Sequence, residues 1–174
     1  MDNQQESLLF EIGWFSGILD GEGCFSICRQ KYRRIYHYRP LITIANTNPK
    51  IIEYLHQVLK KLDIGHYILW LKKPKDGNLP VGRVEIKGLK RCKKFIDKMD
   101  KFIVNKRREF IVLKSFVAHR LAQPWPTPVR NNYVFRDDMF FNLMKKAKKQ
   151  NPQRLYVGYR YGKDYGKDIV WPMQ

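Results

Sequence analysis

Two acidic residues close the first apolar segment of the chain, in the tetrapeptide Asp20-Gly21-Glu22-Gly23. Apolar residues recur before it at helical spacing, so both carboxylates lie at the C-terminal end of a predicted helix. That end carries partial negative charge, which disfavours a carboxylate unless a cation is close by. Carboxylate and carbonyl oxygens suit a hard divalent ion such as Mg²⁺. A metal held in this way can assist the hydrolysis of a phosphodiester.

One face of the same predicted helix carries small residues. Gly13, Ser16, Gly17 and Asp20 are three or four residues apart, so they lie on one side of a helix. Glycine inside a helix costs about 1 kcal/mol relative to alanine, which indicates a packing reason for this face. Small residues at this spacing let two helices approach closely. A second copy of the helix would then bring two Glu22 side chains together, and like charges held close take up a proton or a cation.

The net charge indicates a polyanionic partner. Thirty-four Lys and Arg residues oppose 16 Asp and Glu residues, which gives +18 at pH 7. Lys and Arg bind phosphates with release of condensed counterions, so a nucleic acid is the expected partner. The charge is spread from Arg29 to Lys167, which favours a broad nucleic-acid face over a membrane-binding helix, and no apolar run is long enough to span a bilayer. Three cysteines without zinc-site spacing are typical of an intracellular, reducing compartment.

The remaining pattern predicts an α+β fold with the order αββαββαα. Helices are expected over 7–20, 49–62, 89–99 and 105–122, and strands over 24–38, 41–46, 66–73 and 81–87. Asn48 caps the second helix, whose first residue is Pro49. Two ββ pairs, each followed by a helix, favour an antiparallel sheet with helices on one face.

A change of composition after residue 122 predicts an extension beyond a core of residues 1–122. Prolines at 124, 126 and 128 indicate a linker. An amphipathic helix is expected over 136–149, with Phe140, Leu143, Met144 and Ala147 inward. The end of the chain is a basic tail rich in Tyr and Gly, so residues 123–174 are interpreted as a linker, a short helix and a tail that packs on or extends the core.

Residues 15–23, FSGILDGEG, resemble the LAGLIDADG motif of one class of homing endonucleases. Gly17, Asp20 and Gly23 match the motif by identity. Together with the αββαββα order, the resemblance covers about residues 7–122. It implies a saddle-shaped sheet that straddles DNA, with the motif helix at a two-fold axis. Because the chain has a single motif, the resemblance is to the homodimeric branch. Such enzymes are usually encoded within introns or inteins, and the sequence shows no splicing-junction residues, which favours an intron.

The same resemblance implies metal-dependent double-strand cleavage of a long, pseudo-palindromic site. It assigns Glu22 and the Gly21 carbonyl to Mg²⁺, replaceable by Mn²⁺, and it makes Asp20 an interface acid that caps and packs. Asn48 corresponds to a polar residue that positions water. Lys106 corresponds to a lysine near the scissile phosphate.

A twisted sheet can enter the major groove and read base edges. The predicted first strand, about 13 residues at roughly 3.3 Å each, spans some 40 Å. Alternation along the strands selects the residues that face the groove. The expected DNA-contacting residues are Ser26, Cys28, Gln30, Tyr32, Arg34, Thr43, Trp70, Lys72, Arg83 and Glu85.

Two other functions are compatible with this fold: an RNA-binding intron maturase, and a DNA-binding regulator that does not cleave. Glu22 favours the nuclease, because neither alternative needs two carboxylates held together at a helix end. An ordinary core helix that ends in a glycine turn would explain Asp-Gly-Glu-Gly alone. It does not explain the small-residue face or the strongly basic charge.

Overall fold

The computed structural model describes residues 3–33, 35–71, 79–123 and 131–150, with the backbone alone described at 3–5, 7, 32 and 131–134. The elements, in chain order, are α1 (Asn3–Glu22), β1 (Gly23–Tyr32), β2 (Ile35–Asn46), α2 (Pro49–Lys61), β3 (Tyr67–Trp70), β4 (Gly82–Lys87), α3 (Leu89–Met99), α4 (Arg107–Leu121) and α5 (Asn131–Lys149). The predicted α+β class and the order αββαββαα are therefore confirmed, and α5 follows.

The four strands form one antiparallel sheet in the order β1-β2-β4-β3. A single rung crosses all of it: Cys24 pairs with Thr43, Thr43 with Glu85, and Glu85 with Tyr67. Side chains of paired residues share one face of a sheet. We call the face that carries this rung the open face.

The opposite face of the sheet carries the core. Phe25 and Ile42 are paired there and are fully buried, as are Phe15 and Leu19 of α1. The Phe25 ring meets Phe110 of α4 edge to face at 5.5 Å between centroids. Each such side chain stabilises the fold by about 1.5–3 kcal/mol through burial. The core thus fixes α1 and α4 on the sheet and sets the position of the residues at their ends.

The predicted single strand over 24–38 is wrong. The chain turns at Arg33, which has a positive φ of 54°, so β1 has 10 residues and β2 has 12. β2 continues through Pro40, which was expected to separate two strands. The pairing of β2 with β4 begins only at Leu41, so Pro40 lies beyond that ladder, where its missing N–H costs no bond to β4.

The last described helix also differs from the prediction. It begins at Asn131, five residues earlier than expected. Met144 and Ala147 are buried, whereas Leu143 is 40% exposed. The inward face was therefore placed wrongly at Leu143. Among the helices of the described residues, none is long and apolar enough to cross a membrane.

Candidate active site

The exposed side of α1 is a row of glycines. Gly13, Gly17 and Gly21 are exposed, and a Cβ added at any of them would meet no described atom within 4 Å. Phe10 lies on the same side of the helix and is 73% exposed. Ser16 does not belong to this face: it is 8% exposed and donates a hydrogen bond to the Phe102 carbonyl. The prediction that Ser16 shares an interface face with the glycines is corrected accordingly.

Asp20 caps the N-terminus of α4 from the end of α1. Its carboxylate accepts hydrogen bonds from the backbone amides of Val104, Asn105 and Lys106 at 3.0, 3.1 and 3.2 Å. The Lys106 amide, at the N-cap of α4, is one of the unpaired donors at the positive end of that helix, and the other two amides belong to the two residues before it. The expected capping role is thereby present within one chain. A role of Asp20 at an interface between two copies stays a prediction.

Lys106 makes the reciprocal contact at the end of α1. Its ammonium donates to the carbonyls of Leu19, Gly21 and Gly23 at 3.1, 2.9 and 2.6 Å. An ammonium has three donors, so all of them are directed at carbonyl oxygens. Burial lowers the pKa of Lys106. These contacts give Lys106 a positioning role, and its expected catalytic role stays a prediction.

Glu22 is the last residue of α1, and its side chain is exposed. Gly23 follows at once as the first residue of β1, and a Cβ there would overlap the Leu19 carbonyl. Glycine therefore lets the strand leave directly from the helix end. The described residues hold no group of three or more His, Cys, Asp or Glu side chains that could bind a metal. The oxygens of Glu22 and of the Gly21 carbonyl suit Mg²⁺ in type, but one chain supplies a single carboxylate.

Asn48 is the N-cap of α2. Its side chain accepts a hydrogen bond from the Lys50 amide at 3.0 Å, while its own amide donates to Asn46 at 2.8 Å. The predicted cap is confirmed. Nothing in these contacts tests the expected water-positioning role, which stays a prediction.

The open face carries most of the residues that were expected to contact DNA. Strand pairing places there Ser26, Cys28, Gln30, Thr43, Arg83 and Glu85. Trp70 is on the other face, because it packs over Gly82 with Ile52 of α2, so its assignment to the DNA face is wrong. Tyr67 and Leu69 occupy the open-face positions of β3. Arg34, Lys72 and the side chain of Tyr32 lie outside the described residues.

Glu85 is an unexpectedly buried carboxylate on this face, with 4% of its surface exposed. It pairs with Arg83 at 3.6 Å and with Lys87. Both partners are two residues away along β4, so all three side chains lie on one face. Its Oε2 is buried and has no hydrogen-bond partner among the described residues, although both cations lie beside the carboxylate. The expected contact of Glu85 with a base stays a prediction.

Lys148 of α5 reaches the open face, a contact that was not predicted from the sequence. Its ammonium donates to Ser26 Oγ at 2.7 Å and to Cys24 Sγ at 3.1 Å. α5 is held in place by a hydrogen bond from Tyr38 to Asp138 at 2.8 Å. More than 100 residues separate Lys148 from Ser26, so no local pattern could have indicated the contact.

No protein-family model and no curated protein sequence matches the chain. Among solved structures, it is similar to the archaeal intron-encoded homing endonuclease I-Vdi141I, complexed with DNA, at 17% identity, a TM-score of 0.64 and coverage of 92% of this chain and 89% of that chain. It is similar to I-CvuI, in complex with its target, at 13% identity, a TM-score of 0.63 and coverage of 81% and 83%.

A third similar structure is the LAGLIDADG homing endonuclease I-GzeII in complex with its DNA target. The identity is 13% and the TM-score 0.61, over 93% of this chain and 54% of that chain. At such identities the similarity shows the fold alone. TM-scores of 0.61 to 0.64 over 81% to 93% of this chain show a shared overall arrangement. The chain therefore has the fold of the LAGLIDADG homing endonucleases.

Proposed function

We propose that the chain is a metal-dependent, site-specific DNA endonuclease that acts as a homodimer. The observation that carries the proposal is the exposed end of α1, where Glu22 stands beside the glycine row Gly13, Gly17 and Gly21. A helix with no Cβ atoms on one exposed side accepts a second helix at close range. Two copies meeting there would place two Glu22 carboxylates near the same axis.

The lengths of the similar chains support the dimer. The chain matches 89% of I-Vdi141I and 83% of I-CvuI, but only 54% of I-GzeII. It thus corresponds to nearly the whole of the first two and to about half of the third. One copy of the chain has a single α1 and a single Glu22, so two copies are needed for a pair of acids.

The oxygen donors at the end of α1 fit a divalent cation, with Glu22 and the Gly21 carbonyl as its ligands from each copy. Bound between the copies, Mg²⁺ or Mn²⁺ would stabilise the negative charge that develops at a phosphodiester during hydrolysis. The protein's own contribution is positional. Lys106 and Asp20 tie the helix end to α4, so the ligands are held in one geometry before a metal or DNA binds.

The open face supplies the DNA contacts in this proposal. Gln30 and Arg83 are polar residues suited to adenine and guanine edges, and the net charge of +18 supplies the electrostatic part of binding. The similar structures that are complexes with DNA support this partner. We further propose that the target is pseudo-palindromic, because a two-fold dimer reads the same half-site twice, and that the gene lies in an intron.

The experiment uses a plasmid library that carries randomised inserts, incubated with Mg²⁺, with Mn²⁺ or with EDTA. We expect linear product only with a metal ion, and sequencing of the ends identifies the site. Glu22→Gln should abolish cleavage while duplex binding persists. Glu53→Gln, an exposed glutamate on α2, is the matched control and should cut at the parent rate. A parent that binds duplex DNA but never cuts it would instead indicate a regulator, and Glu22→Gln cutting normally would refute the metal-ligand assignment.

A further inference from the structure

We propose that Lys148 is the lysine that contacts the DNA backbone beside the Glu22 end of the open face. The inference rests on the proposed function and deepens it by naming a residue from α5, outside the αββαββα unit. Two observations carry it: the saturated contacts of Lys106, and the position of the Lys148 ammonium at the start of β1.

The lysine next to the motif turn does not point outward. Lys106 is 8% exposed, and its three donors end on the carbonyls of Leu19, Gly21 and Gly23. Turning the ammonium toward DNA would leave the buried Leu19 and Gly23 carbonyls without this partner, and an unsatisfied buried polar group costs about 1–3 kcal/mol. Lys106 is therefore not placed to contact the DNA backbone, and an outward positive charge at this end of the sheet would come from another side chain.

Lys148 supplies such a charge. Its ammonium contacts Cys24 and Ser26. These residues are two and four positions after Glu22 in the sequence. Along an extended chain these are about 7 and 13 Å from Glu22. Neither partner is an Asp or Glu carboxylate, so these contacts orient the ammonium without forming an ion pair with a carboxylate. A phosphate could replace or add to the hydroxyl and thiol as an acceptor, and a charge-assisted bond to phosphate is the stronger one.

The position of Lys148 is fixed by the packing of α5. Met144 and Ala147 are buried, and Asp137 pairs with Arg120 of α4 at 2.7 Å. Lys148 follows Ala147 directly, so a buried anchor holds its backbone. Lys146, on the same helix, is exposed and two residues away, which places it on a different side of the helix. Lys146 and Lys148 therefore carry the same charge but extend from different sides of α5.

The test compares Lys148→Met, Lys148→Arg and Lys146→Met in the full chain. Each methionine variant removes one charge and keeps an apolar stem. Binding of a fluorescein-labelled, mixed-sequence duplex is measured by anisotropy from about 50 to 200 mM NaCl, where each lost phosphate contact lowers the slope of log K against log salt by about 0.9. Thermal melting by circular dichroism verifies the fold of each variant.

For Lys148→Met we expect the slope of log K against log salt to fall by about 0.9, the value for one phosphate contact. Lys148→Arg and Lys146→Met should keep the slope of the parent. A structural role of Lys148 alone would change the melting temperature and leave the slope unchanged. Equal slopes for Lys148→Met and Lys146→Met would overturn the inference while the proposed function stands. If the parent chain itself fails to bind the duplex, the proposed function falls and the inference falls with it.

Discussion

Asp20 and Lys106 each cap the helix end that bears the other. The Asp20 carboxylate, on α1, accepts hydrogen bonds from the amides of residues 104–106, which lead directly into α4. The Lys106 ammonium, at the N-cap of α4, donates to the carbonyls of residues 19 and 21 at the end of α1 and of residue 23 at the start of β1. Each charge has the sign that the opposing helix dipole favours. The C-terminal end of α1, which bears Glu22, is thereby joined to the N-terminal end of α4.

This exchange predicts a large stability effect at Asp20. Asp20→Ala removes the acceptor of three backbone amides, so we expect the free energy of unfolding to fall by about 1–2 kcal/mol. Asp20→Asn keeps an acceptor oxygen and should lose less. Urea denaturation followed by circular dichroism measures the change. Asp97→Ala is the control, because Asp97 is exposed and pairs only with Lys93 among the described contacts; it should change stability by less than about 0.5 kcal/mol. Equal effects of the two alanine variants would contradict the capping account.

Gly17 and Gly23 should respond in opposite ways to a side chain. A Cβ at Gly17 meets nothing within 4 Å in one chain, whereas a Cβ at Gly23 overlaps the Leu19 carbonyl. Gly17→Leu should leave the stability of the single chain equal or raise it by up to about 1 kcal/mol through helix propensity, yet prevent two copies from meeting. Gly23→Ala should lower stability by about 1–3 kcal/mol, since the backbone itself must shift.

Sedimentation velocity, with and without duplex DNA, separates the two effects. We expect a dimer for the parent and a folded monomer for Gly17→Leu. A parent that binds DNA only as a monomer would refute the dimer, and a Gly17→Leu variant that still dimerises would place the interface elsewhere.

The sequence was most informative where a local pattern has one structural solution. The cap at Asn48 and the glycines of α1 could be identified because helical spacing and capping chemistry act over a few residues. The face on which Trp70 lies could not be identified from the sequence. All four residues of β3, YILW, are large and apolar, so alternation does not distinguish a polar face from a core face. The contacts of Asp20 and Lys148 span more than 80 residues, and a pattern along the chain contains no information about such pairs.

Glu85 is expected to limit the affinity of the open face for DNA. Its buried carboxylate holds Arg83 and Lys87, so Glu85→Gln frees two cations and removes one negative charge. We expect tighter binding of mixed-sequence duplex DNA with a salt slope steeper by about one to two phosphate contacts, and weaker discrimination between sequences, because backbone contacts carry no base information. Anisotropy titrations over a range of NaCl concentrations measure both effects. Glu53→Gln makes the same change in charge away from the sheet and should leave the slope unaltered. If Glu53→Gln had the same slope as Glu85→Gln, the effect would come from net charge and not from the release of Arg83 and Lys87.

The junction of α4 and α5 should weaken in mild acid. The His119 ring lies on Phe140, 5.5 Å between centroids, and its Nε2 is buried with no hydrogen-bond partner among the described residues. Burial lowers the pKa of His119 below its usual 6.5; the nearby Arg136 and Arg120 lower it further, while Asp137 opposes them. A group with a lowered folded pKa binds fewer protons in the folded state than in the unfolded one, so stability is full above pH 6.5 and is lost as the pH falls below it.

Urea midpoints at about pH 7.5 and pH 5.5, on either side of the usual histidine pKa, test this sign. The midpoint of the parent should be lower at the acidic pH. His119→Phe, which keeps an aromatic ring on Phe140 and cannot titrate, should reduce the difference. The substitution should not remove the pH dependence completely. Burial also lowers the pKa of His66, so His66 destabilises the fold in acid as well. Asp137 has a pKa that burial raises, so its contribution has the opposite sign: it favours the folded state when protonated and is lost as the pH rises. An unchanged pH dependence in His119→Phe would assign the acid sensitivity to His66 or to other groups and not to the α4–α5 junction.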